Sequence, residues 1–547
     1  MKRIIPLVFC FWVTSALAAA DLPITVAGDS YIVALTENST LSYRVTEQLG
    51  QDVGEHYYGE IDSVPDSWAR VSIISGQWQG IVSVYGALYV IDQPVAENLQ
   101  AAQAASIAMP VQALADLADD MGSCGVAGHE SELDTSLVSI MEAGVTQDVA
   151  FSDFCAAQVD GLCILPEIEF AFDSAFQSLY GASAAAQATS LINTAEGFYR
   201  RDRAEMDGNN GMNMAFDVIT VAFLSSEVFS TSTDAGIFLN DIETKKANGQ
   251  ISFITNSQAL LHVVTGRDFD GLTAGIANVD VLCNSNGLGV ATTSVVGSIP
   301  LTAVVMAHEL GHNLGSFHDG ETGSAPPNRV IAGMCADGSH IMSSSVSSGF
   351  TGFSSCSVTQ MVNSVEAVLS PNQCFNYPAD IAISNLVSPT NVNVDDVFSA
   401  SYMVSVIATG FQAVGQITLT GTSNVGARFT SVTANGNACS IGSNAGSSYS
   451  CTVNNPGGGV TINIDGTITG FNAQAIITHT ALISTDDVTD VLINDNSIAQ
   501  TMIVAGTITA PPLPAGADSD GDGGGGGSLG WPLLLGLFGL LFRWHYS

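Results

Sequence analysis

Positions 308 to 319 read His308-Glu309-Leu310-Gly311-His312-Asn313-Leu314-Gly315-Ser316-Phe317-His318-Asp319. Residues four apart on a helix share a face, so His308 and His312 can direct two imidazole nitrogens at one ion. Glu309 sits beside the first of them, where its carboxylate can hold a water against that ion. Gly315 can adopt the left-handed conformation that ends a helix and turns the chain back. The turn carries His318 into a third ligand position. Three nitrogen donors and one open position describe a catalytic zinc, whereas a structural zinc is closed by a fourth protein ligand. H-E-x-x-H alone also occurs by chance on amphipathic helices. The glycine, the third histidine and the aspartate at fixed spacing make this stretch specific.

The elements that must position these groups are readable around them. Ser298 to Leu314 reads as a helix, with Ser298 as its cap, Pro300 in the first turn, and Leu301, Val304 and Val305 on one side ahead of His308. Upstream, Glu167 to Phe172 reads as a strand, Ala184 to Arg200 as a helix, Met212 to Leu224 as a strand, and Ala235 to Ala247 as a helix. Such alternation predicts an α/β layer with the histidine helix below the sheet. This domain is expected over residues 146–378.

The string H-E-x-x-H-x-x-G-x-x-H-D resembles the zinc signature of the metzincin metalloproteases, and Asp319 points to their reprolysin/ADAM branch. The resemblance implies a zinc endopeptidase acting on protein or peptide substrates. His308, His312 and His318 would be its metal ligands, Glu309 its catalytic base, and Asp319 and Gly315 structural supports. One catalytic Zn2+ is implied; Ca2+ is possible but no motif requires it. The family also has a methionine turn beneath the metal. Ser339-His340-Ile341-Met342-Ser343 offers Met342 as the first choice, with Met334 second. Relatives usually carry cysteine where His340 stands, and His340 is read as a supporting or surface group.

The same resemblance extends upstream. Residues 21–145 are expected to be a β-rich propeptide, since His56-Tyr57-Tyr58-Gly59-Glu60, Ser75-Gly76 and Tyr89-Val90-Ile91 are similar to ADAM-type propeptides. An Ala-rich linker, about 95–118, leads to Met121-Gly122-Ser123-Cys124-Gly125-Val126. Cys124 there resembles a cysteine switch, in which a thiolate fills the fourth zinc position and keeps a zymogen silent. The alternative is an ordinary buried cysteine or one paired with another chain. Parity favours the switch: of ten cysteines, Cys10 lies in the apolar leader, and the remaining nine must leave one unpaired. Cys155–Cys163 and Cys439–Cys451 are natural local disulfides. By resemblance, Cys283 would join Cys374 and Cys335 would join Cys356. No lysine or arginine lies between Arg70 and Arg200, so activation needs a specificity other than basic residues, such as autolysis between Gly125 and Phe151. Gln258 to Gly271 resembles the reprolysin stretch ahead of the edge strand, which in the family pairs with extended substrate by strand addition. His262 within it is read as structural.

Composition bounds the remaining classes. The 547 residues are 46% hydrophobic and carry a formal net charge of −39 with only 13 Lys plus Arg. Cores can form, and so acidic a surface repels phosphate backbones, which excludes nucleic acid as a partner. Lys2 and Arg3, an apolar run from Ile4 to Val13 and Ala16-Leu17-Ala18 read as a secretory leader over residues 1–20. Export permits disulfides. Residues 379–510 are Thr-, Val-, Asn- and Gly-rich with short alternating strands, which predicts an Ig-like β-sandwich serving as spacer or adhesion module. His479 in it is read as incidental. A Gly-rich linker (511–528) follows, in which Asp518 to Gly523 imitates the start of a calcium loop but lacks its glutamate. In the last segment, 529–547, the apolar run Leu529 to Phe542 is shorter than the ~20 residues of a comfortable span. The tail resembles GlyGly-type C-terminal sorting signals of Gram-negative bacteria, whose apolar part an intramembrane rhomboid-like sorting protease removes. Membrane contact is expected only there, and the location is extracellular or the surface of a Gram-negative cell. The competing reading is a cell-surface adhesin with a vestigial zinc-protease domain.

Overall fold

The computed structural model describes residues 20–94, 109–114, 123–126, 155, 157–200, 212–284, 286–296, 298–320, 340–343, 352–368, 374–389, 391–409, 412–424, 426–442, 446–469, 474–484 and 488–505. The leader, Met334, Cys335, the stretch between Val126 and Phe151, and everything after Ala505, including Asp518 to Gly523 and Leu529 to Phe542, lie outside them. Among the described residues no helix is long and apolar enough to cross a membrane.

The N-terminal part is a sheet of β1 (Ala20–Val26), β2 (Asp29–Glu37), β3 (Glu55–Glu60), β4 (Trp68–Ile74), β5 (Gln77–Val84), β6 (Ala87–Pro94), β7 (Met109–Pro110) and β8 (Gln112–Ala113), with α1 (Ser39–Leu49) between β2 and β3. Its strand order is β7-β1-β2-β3-β4-β5-β6-β8. Only Val111 separates β7 from β8, so one short stretch covers both sheet edges, where open backbone groups would otherwise invite pairing. Asn38 caps α1 through its side chain, and left-handed Gly50 ends it.

The middle part holds β9 (Ser123–Val126), β10 (Leu165–Phe172), α2 (Ser174–Tyr180), α3 (Ala184–Glu196), β11 (Asp217–Phe223), α4 (Ala235–Ala247), β12 (Leu260–Thr265), β13 (Thr273–Ala277), β14 (Val290–Ser294), α5 (Ile299–Asn313) and α6 (Ser355–Val368). Strands β11, β10, β12 and β14 run parallel. They are covered on both faces, and every residue of β12 and β14 is buried. β13 runs antiparallel on β14, and β9 adds to β13 in parallel. The α/β layer expected from sequence is present, with shorter elements: the helix from Ala184 stops at Glu196 and the second strand begins at Asp217.

After Cys374 come β15 (Phe375–Val387), β16 (Asn391–Asn393), β17 (Val397–Ala408), β18 (Gln416–Ser423), β19 (Ala427–Ala434), β20 (Asn437–Ala438), β21 (Ser440–Ile441), β22 (Ser448–Asn454), β23 (Gly459–Ile468), β24 (Gln474–Ile483), β25 (Val488–Asp490) and β26 (Ser497–Ala505). Strict alternation of buried and exposed residues in β17 and β23 gives one apolar face. Phe398, Tyr402 and Val404 from that face share a core with Ile417, Leu419 and Ile477 of the facing sheet. The first sheet is not separate from the middle part, because the start of β10 pairs with β15 at Leu165↔Asn376 and Pro166↔Phe375. His479 is buried here and bonds the Tyr449 hydroxyl through Nδ1 at 2.9 Å.

The structure joins Cys155 to Cys163, Cys283 to Cys374 and Cys439 to Cys451. Cys356 is disulfide-bonded; Cys335, its expected partner, lies outside the described residues.

Candidate metal centre

Helix α5 starts differently from the expectation. Ser298 occupies the cap position with extended backbone, but its side chain makes no capping bond. Thr302 instead fastens the approach to the helix, because its hydroxyl accepts from the Val296 N–H at 3.0 Å and donates to the Ser298 carbonyl at 2.9 Å. Pro300 stands in the first turn, where the missing N–H costs nothing. All fifteen residues of α5 are buried, which fixes the rotation of the helix and with it the direction of its histidines.

The other end of α5 closes in a Schellman turn. Ser316 N–H donates to the Gly311 carbonyl and Gly315 N–H to the His312 carbonyl, both at 2.9 Å. Gly315 has φ +104°, and a Cβ on it would lie 1.9 Å from Ser364 Oγ. The turn brings the Ser316 carbonyl within 2.7 Å of His312 Nδ1, while the Ile341 carbonyl lies 2.5 Å from His308 Nδ1. A carbonyl only accepts, so each Nδ1 carries the proton and each Nε2 presents a lone pair.

These two nitrogens converge with Nε2 of the third ring. Nε2 of His312 lies 3.0 Å from that of His308 and 3.2 Å from that of His318, and the His308–His318 separation is 3.2 Å. Nitrogens bonded to one tetrahedral zinc at ~2.0–2.1 Å stand about 3.3 Å apart. The triangle fits such an ion, and His308, His312 and His318 form the one cluster among the described residues able to hold a metal. Burial pushes the His308 imidazole down to about 3, reinforced by the nearby His318 and opposed by the Ile341 carbonyl. His312 is lowered well below its ordinary value by burial and then by the other two rings. Neutral imidazole is the form that binds metal.

Glu309, buried on the same helix, faces β13. A Cβ on Gly275 would lie 2.5 Å from Glu309 Oε1 and 2.7 Å from its Cγ. Gly275 belongs to no motif in the sequence, but a glycine inside the strand pattern Thr273-Ala274-Gly275-Ile276-Ala277 is the usual mark of a close approach. Gly275 is also the register partner of Cys124 on β9. Tyr199 donates its hydroxyl to the Ala307 carbonyl at 2.5 Å. Burial, and secondarily the Glu309 charge, raises the Tyr199 phenol well above its usual range, so it stays protonated.

The floor is built by Met342 and Asp319. A Cβ on Gly311 would strike Met342 Sδ at 2.7 Å, so the thioether lies directly against the helix between the first two histidines. Asp319 N–H donates to the Met342 carbonyl at 2.8 Å. Asp319 Oδ1 accepts from the hydroxyls of Ser354 at 3.0 Å and Ser357 at 2.9 Å. Ser354 also accepts from the Ser357 N–H at the start of α6, so the carboxylate sits at a helix N-terminus, where its charge is favoured. It thus ties the His318 turn to α6 and to the methionine segment. His340 is half-buried and outside the triad; its carbonyl accepts from Ser343 N–H at 3.0 Å. His262 lies in β12 with Nε2 2.9 Å from Thr293 Oγ1, and also stands outside the triad.

Residues 167–354 match the family model Reprolysin_5, metallo-peptidase family M12. The match runs from β10 to the Ser354 cap, about a third of the chain, and includes the triad and Glu309. It supports a reprolysin-type metalloprotease domain over these residues, with zinc as its metal and protein or peptide as its substrate class. Among solved structures, the chain is similar to a cohesin module from a family 33 glycoside hydrolase of Clostridium perfringens ATCC13124, at 11% identity and TM-score 0.19, over 23% of this chain and 97% of that one. It is also similar to the CARDB domain of a Pyrococcus furiosus protein in complex with di-metal ions, at 14% identity and TM-score 0.16, over 23% of this chain and 89% of that one. Similarity at that level carries no functional argument.

Proposed function

We propose that the protein is a secreted zinc endopeptidase, made as a zymogen, that hydrolyses peptide bonds of extracellular proteins. One observation carries the reading: the Nε2 atoms of His308, His312 and His318 lie within 3.2 Å of one another, with the buried carboxylate of Glu309 next to His308 on the helix. His308, His312 and His318 would hold a zinc ion, which would supply Lewis acidity for the attacking water and the scissile carbonyl. Glu309 takes the proton from the attacking water and returns it to the leaving amine. Gly275 lets β13 pass close enough that an extended substrate added to this edge lies alongside Glu309. Casein cleavage with and without a chelator tests the activity.

Latency follows from the same edge. β9 occupies β13 in register with Cys124 opposite Gly275, the place a substrate strand would take. The Cys124 thiolate is proposed as the ligand that closes the metal's fourth position. Cys124→Ser leaves β9 on the edge, so casein cleavage by the uncut chain should rise above wild type while staying below that of the activated enzyme; a variant no more active than wild type would rule the switch out. The leader, the disulfides and the Gly-rich tail support export to the surface of a Gram-negative cell, with the Ig-like sandwich as spacer and a sorting protease acting on the tail.

Gly275 makes a separate prediction. Its backbone does not require glycine, so the effect of Gly275→Ala falls first on the Glu309 side chain, which the new methyl group must displace. Displacement of a catalytic group by about 1 Å costs on the order of 10²-fold. We expect kcat to fall by that order while KM and zinc content stay near wild type. Steady-state kinetics with metal analysis on the same sample would check it.

A further inference from the structure

Strand β5 of the N-terminal sheet is buried on both faces, and the two faces are buried by different things. Strand residues alternate in direction, and Trp78, Val82 and Val84 of β5 point into the N-terminal domain's own core with Val71 and Ile91. The opposite set joins another core. Ile81, Leu88 and Val90, with Leu41, Val45, Val53 and Leu114, share one cluster with Leu191 and Ile192 of α3 and Leu301 and Val304 of the histidine helix.

The polar contacts across this boundary are buried as well. Arg70 Nη2 donates to Glu196 Oε1 at 3.0 Å with both side chains at most 6% exposed, and the other Glu196 oxygen accepts from the Phe216 N–H at 3.1 Å. Asn193 Oδ1 accepts from Asn38 at 2.9 Å and from Arg70 at 3.3 Å, and its amide donates to the Tyr57 carbonyl at 3.2 Å. Gln79 reaches the Ser190 hydroxyl at 2.9 Å. Further along α1, Gln48 bonds the backbone of β11 at both Val218 and Val221, and Arg44 pairs with Asp217 at 2.5 Å. Breaking a buried ion pair by withdrawing one partner is strongly unfavourable, because the other charge is left without compensation.

Gly197 shows how closely the two surfaces are fitted. Its φ is −55°, which any residue adopts, yet a Cβ there would lie 2.4 Å from Arg70 Cγ and 2.9 Å from the Trp68 ring. Within its own domain the glycine is not required by its backbone; it accommodates the N-terminal domain. β9, by contrast, touches the cleft through four residues of one strand.

We propose that residues 20–114 stay bound after activation as a permanent domain, and that activation consists of removing β9 alone. This rests on the zymogen reading above. It has a topological consequence. A cut between Val126 and Phe151 leaves β9 joined to the docked domain through residues 115–122, so the strand stays at a high effective concentration beside the cleft, on the order of millimolar for so short a connection. One cut is therefore not enough. A second cut, between Leu114 and Ser123, frees β9 while the domain remains.

The experiment uses the full chain with engineered protease sites at these two places, cut singly or together and passed through size exclusion in non-denaturing buffer. After the single cut, the fragments should co-elute, with casein turnover roughly 10²-fold below that of the doubly cut protein. After both cuts, residues 20–114 should still co-elute and casein cleavage should appear. Gly197→Ala should release the domain at a lower denaturant concentration than the otherwise identical cut protein. Elution of residues 20–114 apart from the rest would overturn the proposal, and so would full activity of a co-eluting singly cut protein. Co-elution of a doubly cut protein that carries no zinc and cleaves no casein would uphold the docking and strike the protease reading instead.

Discussion

Glu309→Gln should leave zinc bound and lower turnover by roughly 10²–10⁴-fold, the usual worth of a positioned general base. Glutamine keeps the volume of a side chain that is fully buried, so no cavity forms beneath β13. It also keeps an oxygen able to hold water by hydrogen bond. What it loses is the capacity to take a proton. The metal site should not notice, because the two helical imidazoles are oriented by the Ile341 and Ser316 carbonyls and the third is carried by the turn after the helix, none of which involves the Glu309 carboxylate. Zinc content and melting temperature near wild type, with kcat reduced far more than KM, is the expected result. Unchanged turnover on a broad protein substrate would move the base elsewhere in the cleft.

The second large effect is structural. Gly315→Ala should destabilise the protein by about 2–5 kcal/mol and weaken metal binding with it. Two costs add: a φ of +104° that an L side chain rarely adopts, and a methyl carbon 1.9 Å from Ser364 Oγ in a filled interior. Relief requires either the turn or α6 to move. The turn carries His318 and supplies the carbonyl that orients His312, so its displacement opens the nitrogen triangle. Thermal melting and zinc stoichiometry should fall together. Adding Ser364→Ala should recover part of the loss by removing the oxygen, and leave the backbone part. Wild-type zinc content in the single variant would show that the turn does not position the third ring.

The metal centre was legible because its information is local. Two histidines at helical spacing, a glycine able to turn the chain and a third histidine just after it depend only on the geometry of one helix and one turn. Asp319 could be read as a support, but not what it supports, since Ser354 and Ser357 lie more than thirty residues on and their hydroxyls meet it only in the folded chain. Asn193 and Glu196 show the limit more sharply. On a helix read by itself they look like a solvent-facing edge, and their burial is made by Arg70 and Asn38, over a hundred residues earlier. Pairing across that distance leaves no periodic trace in sequence. The same holds for the β10–β15 pairing that runs the middle sheet into the following one: composition marked a change of character at residue 379, while the backbone ladder crosses it.

Peptide-bond hydrolysis by this chain requires one ion shared by His308, His312 and His318. The most direct measurement is casein cleavage by the activated protein before chelation, after it, and after zinc is returned. Cleavage that disappears on chelation and comes back at one equivalent of zinc per chain is the predicted result. Cleavage indifferent to the chelator, from protein in which metal analysis finds no transition metal, would contradict it.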